Sequence, residues 1–305
     1  MNGTFFLVGP TATGKSEIAA DVAEKLDAEI VSADAFQIYR GLPLLTAKPD
    51  AATLAKVPHH LIGTMSILEE MNAEKFRRLA LQSIAEIDSR GKLAIVVGGS
   101  GLYLKALTHG LSCAAASDPD LRAQLSEMSL DDLQKTLRVI DPKAAKEIDL
   151  KNRRRVVRAI EICLLSAKAA SEQRHEWKSG ETPATTGIFV YRDRDELYQR
   201  INQRVDAMFE NSVIEEVRAA GAMSDTASKM IGLREIRQLL EGKMSILRCV
   251  AAIQQATRRY AKRQLTWFRR QTNFESLNLS EVNHIEAVKR ISQLAKTLGV
   301  AQGND

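Results

Sequence analysis

The feature that most constrains the fold is the segment GPTATGKS at residues 9–16, which follows a short apolar run, TFFLV, at residues 4–8. The segment is a complete G-x-x-x-x-G-K-[ST] pattern, which wraps backbone N–H groups around phosphates. The apolar run predicts a buried parallel strand, and the spacing of apolar residues after it predicts a helix that begins near Lys15. A strand, a glycine-rich turn and a helix in this order predict a phosphate-binding loop at the carboxyl edge of a sheet.

Further strand and helix patterns extend this unit into a larger sheet. Residues 29–33 (EIVSA) and 93–97 (LAIVV) are short apolar runs typical of buried strands, and residues 73–88 between them have helical spacing. Strands that alternate with helices are typical of a parallel sheet with helices on its faces. We therefore predict an α/β fold with a P-loop NTPase-like parallel sheet flanked by helices.

The pattern changes near Asp118. Residues 118–183 show helical patterns only, interrupted by Asp-Pro dipeptides, whereas residues 187–191 (GIFVY) predict a strand that returns to the sheet. After that strand we expect helices only. We therefore predict a P-loop core domain of residues 1–117 and 184–305, and an all-helical insertion domain of residues 118–183.

Composition excludes several classes of protein. Of the 305 residues, 45% are hydrophobic and 27% are charged, as in globular proteins rather than disordered ones. No apolar run approaches the length that crosses a membrane, and the first run is too short for a secretory leader. The cysteines and histidines lack metal-ligand spacing, and we expect buried thiols rather than disulfides or a zinc site. We expect a monomeric cytoplasmic protein that does not contact a membrane.

The net charge of +5 is concentrated in one segment. Residues 242–274 contain no Asp or Glu and eight Lys or Arg residues, so the rest of the chain is net negative. Four of the cations share one side of a predicted helix that turns Leu265 and Phe268 toward the core; they are Arg258, Arg259, Lys262 and Arg263. Such a local excess is typical of a surface that binds a polyanion, although a solvated helix face would have the same composition. The insertion carries a second basic patch that includes Arg154, Arg155 and Arg158.

Two predicted strands end in polar residues that could reach the phosphate loop. Asp34 follows the strand at residues 29–33, and a carboxylate there could hold a metal ion, accept a proton or cap the next turn. The segment GGSG at residues 98–101 could offer N–H groups and the Ser100 hydroxyl to a phosphate, or form a tight turn. Because no carboxylate follows the strand at residues 93–97, the sequence argues against ATP hydrolysis.

Taken in order, these motifs resemble those of the bacterial tRNA dimethylallyltransferases, the IPP transferase family. The resemblance covers about residues 4–270. It rests on GPTATGKS at 9–16, SAD at 32–34 with Gln37 and Tyr39, TAKP at 46–49, HL at 60–61, VGGSGLY at 97–103, RRVVRAIEI at 154–162, LYQRINQRV at 197–205, IGLRE at 231–235 and the basic stretch at 258–269.

The resemblance implies a P-loop fold that transfers a prenyl group instead of a phosphoryl group. The loop would hold the diphosphate of dimethylallyl diphosphate together with Mg²⁺. The acceptor would be N6 of the adenosine immediately 3′ of the anticodon, so the partner would be the anticodon stem-loop of a tRNA. Breaking the allylic C–O bond places charge on the diphosphate, and N6 must lose a proton, so the chemistry needs cations and a base.

Residue by residue, the resemblance assigns Asp34 as the general base, with Ser100 and Arg234 as further catalytic residues. The diphosphate-binding residues would be Gly9, Thr11, Ala12, Thr13, Gly14, Lys15 and Ser16, and Ser16 would also bind the metal. The residues matched to tRNA contacts are Asp34, Ala35, Phe36, Gln37, Ser100, Arg122, Arg154, Arg155, Arg158, Lys229 and Arg234. To these the charge pattern adds Arg258, Arg259, Lys262 and Arg263.

The chain departs from the family pattern at a few positions near the predicted site. Ala35 stands where Ser is usual, Leu45 where Gly is usual, and Leu233 where an aromatic residue is usual. Ser100 replaces Thr but retains the hydroxyl. These departures concern the positioning of the substrate and leave the phosphate loop complete.

Three alternatives remain open at this stage. A small-molecule or nucleotide kinase of the same fold would transfer phosphate from ATP to an acceptor. An RNA-binding module would bind phosphate and RNA without catalysis. A prenyltransferase that acts on adenylate would not need the basic segment at residues 242–274, and competition between AMP and tRNA would identify it.

Overall fold

The computed structural model describes residues 3–111, 118–166, 169–173, 185–271 and 274–300. The chain divides into two compact units, one formed by Met1–Thr108 with Ala184–Asp305 and the other by His109–Pro183. The first boundary falls at the last residue of the helix Gly101–His109, whereas we predicted it after residue 117. The change of composition at Asp118, from which we predicted the boundary, marks the start of the next helix.

A six-stranded sheet forms the centre of the larger unit. Its strands are β1 (Thr4–Val8), β2 (Glu29–Ala33), β3 (His59–His60), β4 (Ala94–Gly98), β5 (Thr186–Tyr191) and β6 (Glu275–Asn278). They lie in the order β3-β2-β4-β1-β5-β6, and every neighbouring pair is parallel. The predicted α/β class with a parallel sheet is confirmed.

The sequence analysis did not predict two of the short strands. The bounds of β1 and β2 are as predicted, whereas β3 and β6 were not expected. β3 has two residues, and β6 (ESLN) is a short edge strand without an apolar run, so neither carries the periodic signal of a buried strand. The expectation that only helices follow residue 191 is therefore wrong.

Helices cover both faces of the sheet. Before the insertion they are α1 (Lys15–Leu26), α2 (Ala51–Lys56), α3 (Ala73–Ser89) and α4 (Gly101–His109). The smaller unit contains α5 (Pro119–Glu127), α6 (Leu130–Ile140), α7 (Pro142–Glu147) and α8 (Arg153–Leu165). After it come α9 (Arg194–Glu210), α10 (Val213–Ala219), α11 (Leu233–Leu240), α12 (Ile246–Gln271) and α13 (His284–Val300).

The sheet is apolar on both sides, as expected for parallel strands between two helical layers. Because side chains alternate along a strand, Phe5 and Leu7 of β1 belong to the core that includes residues of α1 and α13. Phe6 and Val8 belong to the core on the other face, with residues of α3 and α12. Phe268 of α12 is fully buried there and Leu265 packs against the same core, as predicted.

The smaller unit has its own core, built from Leu125, Leu133, Leu137, Val156 and Ile160. Its described residues form helices and no strands. Cys249 is buried as predicted, Cys163 is only partly buried, and Cys113 lies outside the described residues. No helix in the described part of the chain combines the length and the apolar character needed to cross a membrane.

Candidate active site

The loop between β1 and α1 is shaped as a phosphate cradle. Gly9 is required because a Cβ atom there would lie 2.2 Å from the carbonyl oxygen of Val190 in β5. Gly14 has φ +89° and precedes the first residue of α1, a conformation that glycine adopts without strain. The backbone N–H groups of residues 12–16 donate to no described residue. These N–H groups and the start of α1 form a site for an anion.

Lys15 and Ser16 extend from this loop into a cavity whose lining also includes Asp34 and Gln37. The Lys15 Nζ atom donates to the carbonyl oxygen of Pro10 at 3.1 Å. Burial lowers the pKa of Lys15 to about 8, with Asp34 opposing this shift and Arg204 adding to it. Asp34 and Arg204 therefore both lie close enough to Lys15 to change its pKa. Lys15 and Ser16, the last two residues of the phosphate loop, and the carboxylate predicted as the general base therefore line the same cavity.

Three arginines that the sequence analysis did not assign surround the outside of the loop. Arg192 Nε donates to the carbonyl oxygen of Thr13 at 2.9 Å, and Arg200 Nε donates to that of Ala12 at 2.9 Å. Arg204 Nη1 donates to the Thr11 hydroxyl at 3.0 Å. Cations that hold the carbonyl oxygens of the loop also favour the inward direction of its N–H groups. A signal existed, since Arg192 directly follows β5 and the other two lie four residues apart on α9.

Asp34 caps the turn that follows β2 and retains one unused oxygen. Its Oδ1 atom accepts hydrogen bonds from the N–H groups of Phe36 at 2.9 Å and of Gln37 at 3.3 Å. Within the described ranges no group donates to Oδ2. The capping role and the general-base role, which were alternatives at the level of sequence, are therefore compatible, because each uses a different oxygen.

Ser100 connects the two strand ends next to Asp34. Its Oγ atom accepts a hydrogen bond from the N–H group of Ala35 at 3.0 Å. Burial, together with Asp34, raises the pKa of the Tyr260 phenol on α12, and the nearby Ser100 side chain opposes this rise. Since Ala35 contributes its backbone, the absence of the usual serine hydroxyl at this position leaves the contact intact.

The glycines after β4 are explained by packing. A Cβ atom at Gly98 would lie 2.3 Å from the carbonyl oxygen of Ala33, and one at Gly101 would lie 2.5 Å from the ring of Trp267. At Gly99 it would lie 2.3 Å from the side chain of Gln264. The segment therefore has a structural reason for its composition, and its expected contact with phosphate stays a prediction.

The side chain of Gln264, on helix α12, joins the phosphate loop to the loop that follows β4. Its Oε1 atom accepts from the Thr11 N–H group at 2.9 Å, and its Nε2 atom donates to the Gly99 carbonyl oxygen at 2.9 Å. Gly9 N–H also donates directly to the Gly98 carbonyl oxygen, at 3.2 Å. The side chain of Gln264 is buried. The inner side of this helix thus holds the phosphate loop against the loop that carries Ser100.

The outer side of α12 presents the predicted cations. Arg259, Lys262 and Arg263 are exposed. Arg258 is partly buried, because its Nη1 atom donates to the Asn202 side chain at 2.7 Å. Three of the four predicted tRNA-binding residues of this helix are therefore available at the surface, while the fourth is partly committed to α9.

The segment between β2 and α2 is held by its own polar side chains. Gln37 Nε2 donates to the Ala47 carbonyl oxygen at 2.9 Å, and Lys48 donates to the carbonyl oxygens of Tyr39 and Gly41. Phe36 is partly buried against the core. Leu45 is buried as well, so the backbone of this segment accommodates a leucine in place of the usual glycine.

Arg234 and Lys229 lie near the start of α11. Arg234 is 79% exposed and its guanidinium contacts Glu235, with 2.7 Å between Nη2 and Oε1. Lys229 is exposed at the end of a short 3₁₀ turn, Ala227–Lys229. Leu233, in place of the usual aromatic residue, is buried. The predicted catalytic role of Arg234 and the predicted contacts of both residues with tRNA stay predictions.

In the smaller unit, two of the predicted tRNA-binding arginines hold a buried carboxylate. Arg122 forms a bidentate pair with Glu161, with both N–O distances at 2.7 Å, and Arg158 Nη1 lies 3.2 Å from the same carboxylate. Glu161 itself is fully buried. Arg154 and Arg155 are exposed. The structure therefore separates this predicted patch into a structural pair and a surface pair.

The described residues contain no group of three or more His, Cys, Asp and Glu side chains that could hold a metal ion. The predicted metal ligand, Ser16, has a hydroxyl that shares no hydrogen bond with a described residue and lines the cavity beside Asp34. One hydroxyl beside an anion site fits an ion such as Mg²⁺ that takes most of its ligands from phosphate and water.

Comparisons with known proteins agree with this geometry. A family profile described as IPP transferase matches residues 37–271. A tRNA dimethylallyltransferase of Akkermansia muciniphila is 43% identical over 268 residues, which cover 88% of this chain and 90% of that protein. Another, of Acetivibrio thermocellus, is 37% identical and covers 98% of this chain and 99% of that protein.

Solved structures give the same result. The full-length tRNA isopentenylpyrophosphate transferase of Bacillus halodurans has a TM-score of 0.71 and 33% identity, with 99% of each chain covered. A eukaryotic dimethylallyltransferase acting on tRNA has a TM-score of 0.76 and 27% identity over 87% of this chain and 69% of that chain.

Proposed function

The chain belongs to the IPP transferase family, and from that premise we propose that it is a tRNA dimethylallyltransferase. It transfers the dimethylallyl group of dimethylallyl diphosphate to N6 of the adenosine immediately 3′ of the anticodon. One observation carries the proposal: Lys15 and Ser16, at the end of the phosphate loop, line one cavity with Asp34, whose Oδ2 atom accepts a hydrogen bond from no described residue. An anion site and a base that face the same space are what this reaction requires.

The first requirement is stabilisation of the leaving group. When the allylic C–O bond breaks, its electron pair goes to the diphosphate oxygen and the allylic carbon becomes cationic. The N–H groups of residues 12–16 and the Lys15 ammonium are aimed at the oxygens on which this charge develops. Donors that are already in place stabilise the transition state more than the ground state, because they need no rearrangement as the charge forms.

The second requirement is an activated nucleophile. The lone pair of the adenine N6 atom is delocalised into the ring, so N6 is a weak nucleophile. As the new N–C bond forms, N6 must lose a proton, and Asp34 Oδ2 is the acceptor. Oδ1 remains bonded to the turn, which fixes the direction of the carboxylate. Ser100, bonded to Ala35, fixes the adjacent backbone. A positioned base contributes about 10²- to 10⁴-fold to a rate.

The Ser16 hydroxyl and the diphosphate oxygens are the groups that would hold Mg²⁺. The ion, when bound, neutralises charge on the departing diphosphate. Asp34 is then left for the proton transfer.

The tRNA supplies the remaining contacts. The target base has to leave the anticodon-loop stack, at a cost of a few kcal/mol, which phosphate contacts elsewhere offset. The exposed cations Arg259, Lys262 and Arg263 on α12 provide such contacts, and Arg154 and Arg155 provide them on the smaller unit. We propose a monomeric enzyme that meets tRNA in the cytoplasm.

The test is incubation of the purified protein with unmodified tRNA, dimethylallyl diphosphate and Mg²⁺, followed by mass spectrometry of the nucleosides. We expect N6-dimethylallyladenosine and stoichiometric release of pyrophosphate. AMP added in excess should not compete with tRNA. Absence of the modified nucleoside, together with phosphorylation of an acceptor from ATP, would replace this proposal by the kinase alternative.

A further inference from the structure

We propose that Glu216 is a positioning residue of the reaction, which holds the loop at residues 41–48 and, through that loop, the side chain of Gln37 beside Asp34. Glu216 lies on α10, and the sequence analysis assigned it no role. The inference rests on the proposed function and adds to it a residue that touches no substrate. A series of hydrogen bonds leads from this carboxylate to the general base.

The first observation is that both oxygens of the Glu216 carboxylate bind consecutive backbone N–H groups of the loop. Oε1 accepts from the Leu44 N–H group at 2.9 Å, and Oε2 accepts from that of Leu45 at 2.8 Å. Hydrogen bonds to an ionised carboxylate are stronger than bonds between neutral groups. This pair of bonds therefore ties the loop firmly to α10.

The second observation is that the loop is strained. Leu42 and Ala47 have φ +52° and +49°, a left-handed conformation that costs energy in residues other than glycine. Such a conformation persists only where the surrounding contacts hold it. Within the loop, the Thr46 hydroxyl donates to the Leu42 carbonyl oxygen at 2.7 Å. Glu216 adds a clamp from outside, at the two residues that lie between the strained positions.

The third observation is the connection from the loop to the active site. The Ala47 carbonyl oxygen accepts a hydrogen bond from Gln37 Nε2 at 2.9 Å. Gln37 lines the same cavity as Lys15 and Asp34, and its backbone N–H group donates to Asp34 Oδ1 at 3.3 Å. A loop that leaves its strained conformation takes away the acceptor of Gln37. The turn that directs the general base is then held less firmly.

The loop has a second anchor that also depends on Glu216. The half-buried ammonium of Lys48 donates to the carbonyl oxygens of Tyr39 and Gly41. Burial lowers the pKa of Lys48, and Glu216 lies close enough to oppose this shift. The carboxylate thus favours the charged form of the cation that holds the start of the loop. Removal of its charge weakens both anchors together.

In the reaction, Glu216 exchanges no proton with the substrates, because both of its oxygens are occupied. Its effect is to keep the acceptor side of the site assembled before the tRNA binds, which lowers the cost of reaching the reactive geometry. The phosphate loop is held by other side chains, those of Gln264, Arg192 and Arg200. Loss of Glu216 should therefore affect the acceptor side and spare the diphosphate side.

The experiment compares Glu216→Gln with Glu215→Gln in kcat and KM for both substrates, and in calorimetry with inorganic pyrophosphate. Glutamine presents one oxygen and an NH₂ group that cannot accept from an N–H group. We expect Glu216→Gln to lower kcat about tenfold or more, with pyrophosphate affinity within about twofold of wild type. Glu215→Gln removes a neighbouring exposed carboxylate that is paired with Arg218, and it should behave as wild type.

A double variant tests whether Glu216 acts through Gln37. Gln37→Ala removes the link to the Ala47 carbonyl oxygen and lowers kcat by itself. Because the link is already absent, adding Glu216→Gln should lower kcat by less than about threefold more. A carboxylate that only stabilises the fold would give losses that multiply.

Losses that multiply in the double variant overturn the proposal, and so does a folded Glu216→Gln enzyme whose kcat is within about twofold of wild type. Glu216→Asp keeps the charge on a shorter side chain, and it takes the place of the glutamine variant in both tests if that variant does not fold. Either contrary result leaves the proposed function standing. A wild-type protein that forms no modified nucleoside overturns both.

Discussion

Two buried or half-buried carboxylates of this chain show how a reactive group differs from a structural one. Both oxygens of Glu161 in the smaller unit are occupied by the guanidinium groups of Arg122 and Arg158. Asp34 in the larger unit uses Oδ1 to cap a turn, and no described residue donates to Oδ2. Glu161 therefore has no oxygen left to bind a substrate. Asp34 is held through Oδ1 and can still accept a hydrogen bond from a substrate at Oδ2.

The arginines of the two units repeat this contrast. In the smaller unit, Arg153 donates to the carbonyl oxygens of Leu125, Ser126 and Met128. In the larger unit, Arg204 donates to the Thr11 hydroxyl, and its buried Nε donor has no partner among the residues that the structure describes. A basic residue in a sequence can thus serve folding or binding. Which of the two it serves depends on whether its donors are already bonded within the protein or remain available to a ligand.

The largest effect is expected at Asp34. Asp34→Asn keeps an oxygen that can cap the turn but removes the base, so we expect kcat to fall about 10²- to 10⁴-fold with little change in stability. Affinity for tRNA should stay close to wild type. Single-turnover assays and filter binding measure the two quantities, and an active Asp34→Asn enzyme would remove the contrast with Glu161.

The converse effect is expected at Glu161. Glu161→Gln leaves two guanidinium groups beside a neutral side chain, and we expect the free energy of unfolding to fall by about 3 kcal/mol. Urea denaturation followed by circular dichroism measures this loss. Arg154→Gln, at an exposed position on the same helix, is the control and should unfold as wild type does. A stable Glu161→Gln variant would show that the pair is not structural.

Gln264 tests whether the inner side of α12 aligns the two loops. Gln264→Ala removes both bonds and leaves the Thr11 N–H group without its partner, so we expect kcat/KM to fall about tenfold. Gln255→Ala, at an exposed position on the same helix, should change nothing. Equal activity of the two variants would show that the hydrogen bonds of Gln264 do not align the two loops for catalysis.

The pKa of Lys15, lowered to about 8 by burial, predicts a pH dependence of substrate binding. The protonated ammonium binds the diphosphate, so affinity should be full below this pH and should decline as the ammonium loses its proton above it, by up to about tenfold per pH unit. Calorimetry with dimethylallyl diphosphate measures the profile. In Lys15→Arg the guanidinium stays charged, and the decline should disappear. A decline of affinity that persists in Lys15→Arg would show that another group causes it.

The smallest effect is expected on the outer side of α12. Arg259→Gln removes one exposed cation, so we expect tRNA binding to weaken slightly and the slope of log K against log salt concentration to fall by about 1. Arg290→Gln on α13, where the arginine is paired with Glu286, should leave the slope unchanged. If both variants behave alike, α12 is not the tRNA surface.

How much could be predicted from the sequence depended on how local each signal was. The phosphate loop, β1, β2 and Asp34 are set by neighbours along the chain, and they were found with their bounds. The role of Gln264 depends on contacts with the phosphate loop, which is far away in sequence, so spacing could not reveal it. For Arg200 and Arg204, the four-residue spacing on α9 was a signal that the sequence analysis did not use. Arg122 and Arg158 were assigned to tRNA from their type and matched motif. The pairing of Arg122 with Glu161 depends on the packing of α5 against α8, whereas Arg158 lies three residues before Glu161 on the same helix, a local spacing that the sequence analysis did not use.

The most direct test is a crystal structure of the protein with pyrophosphate and an anticodon stem-loop. We predict that the diphosphate oxygens accept hydrogen bonds from the N–H groups of residues 12–16. We also predict that Asp34 Oδ2 lies about 3 Å from the adenine N6 atom. A diphosphate bound elsewhere, or an adenine whose N6 atom is out of reach of Asp34, would contradict the account.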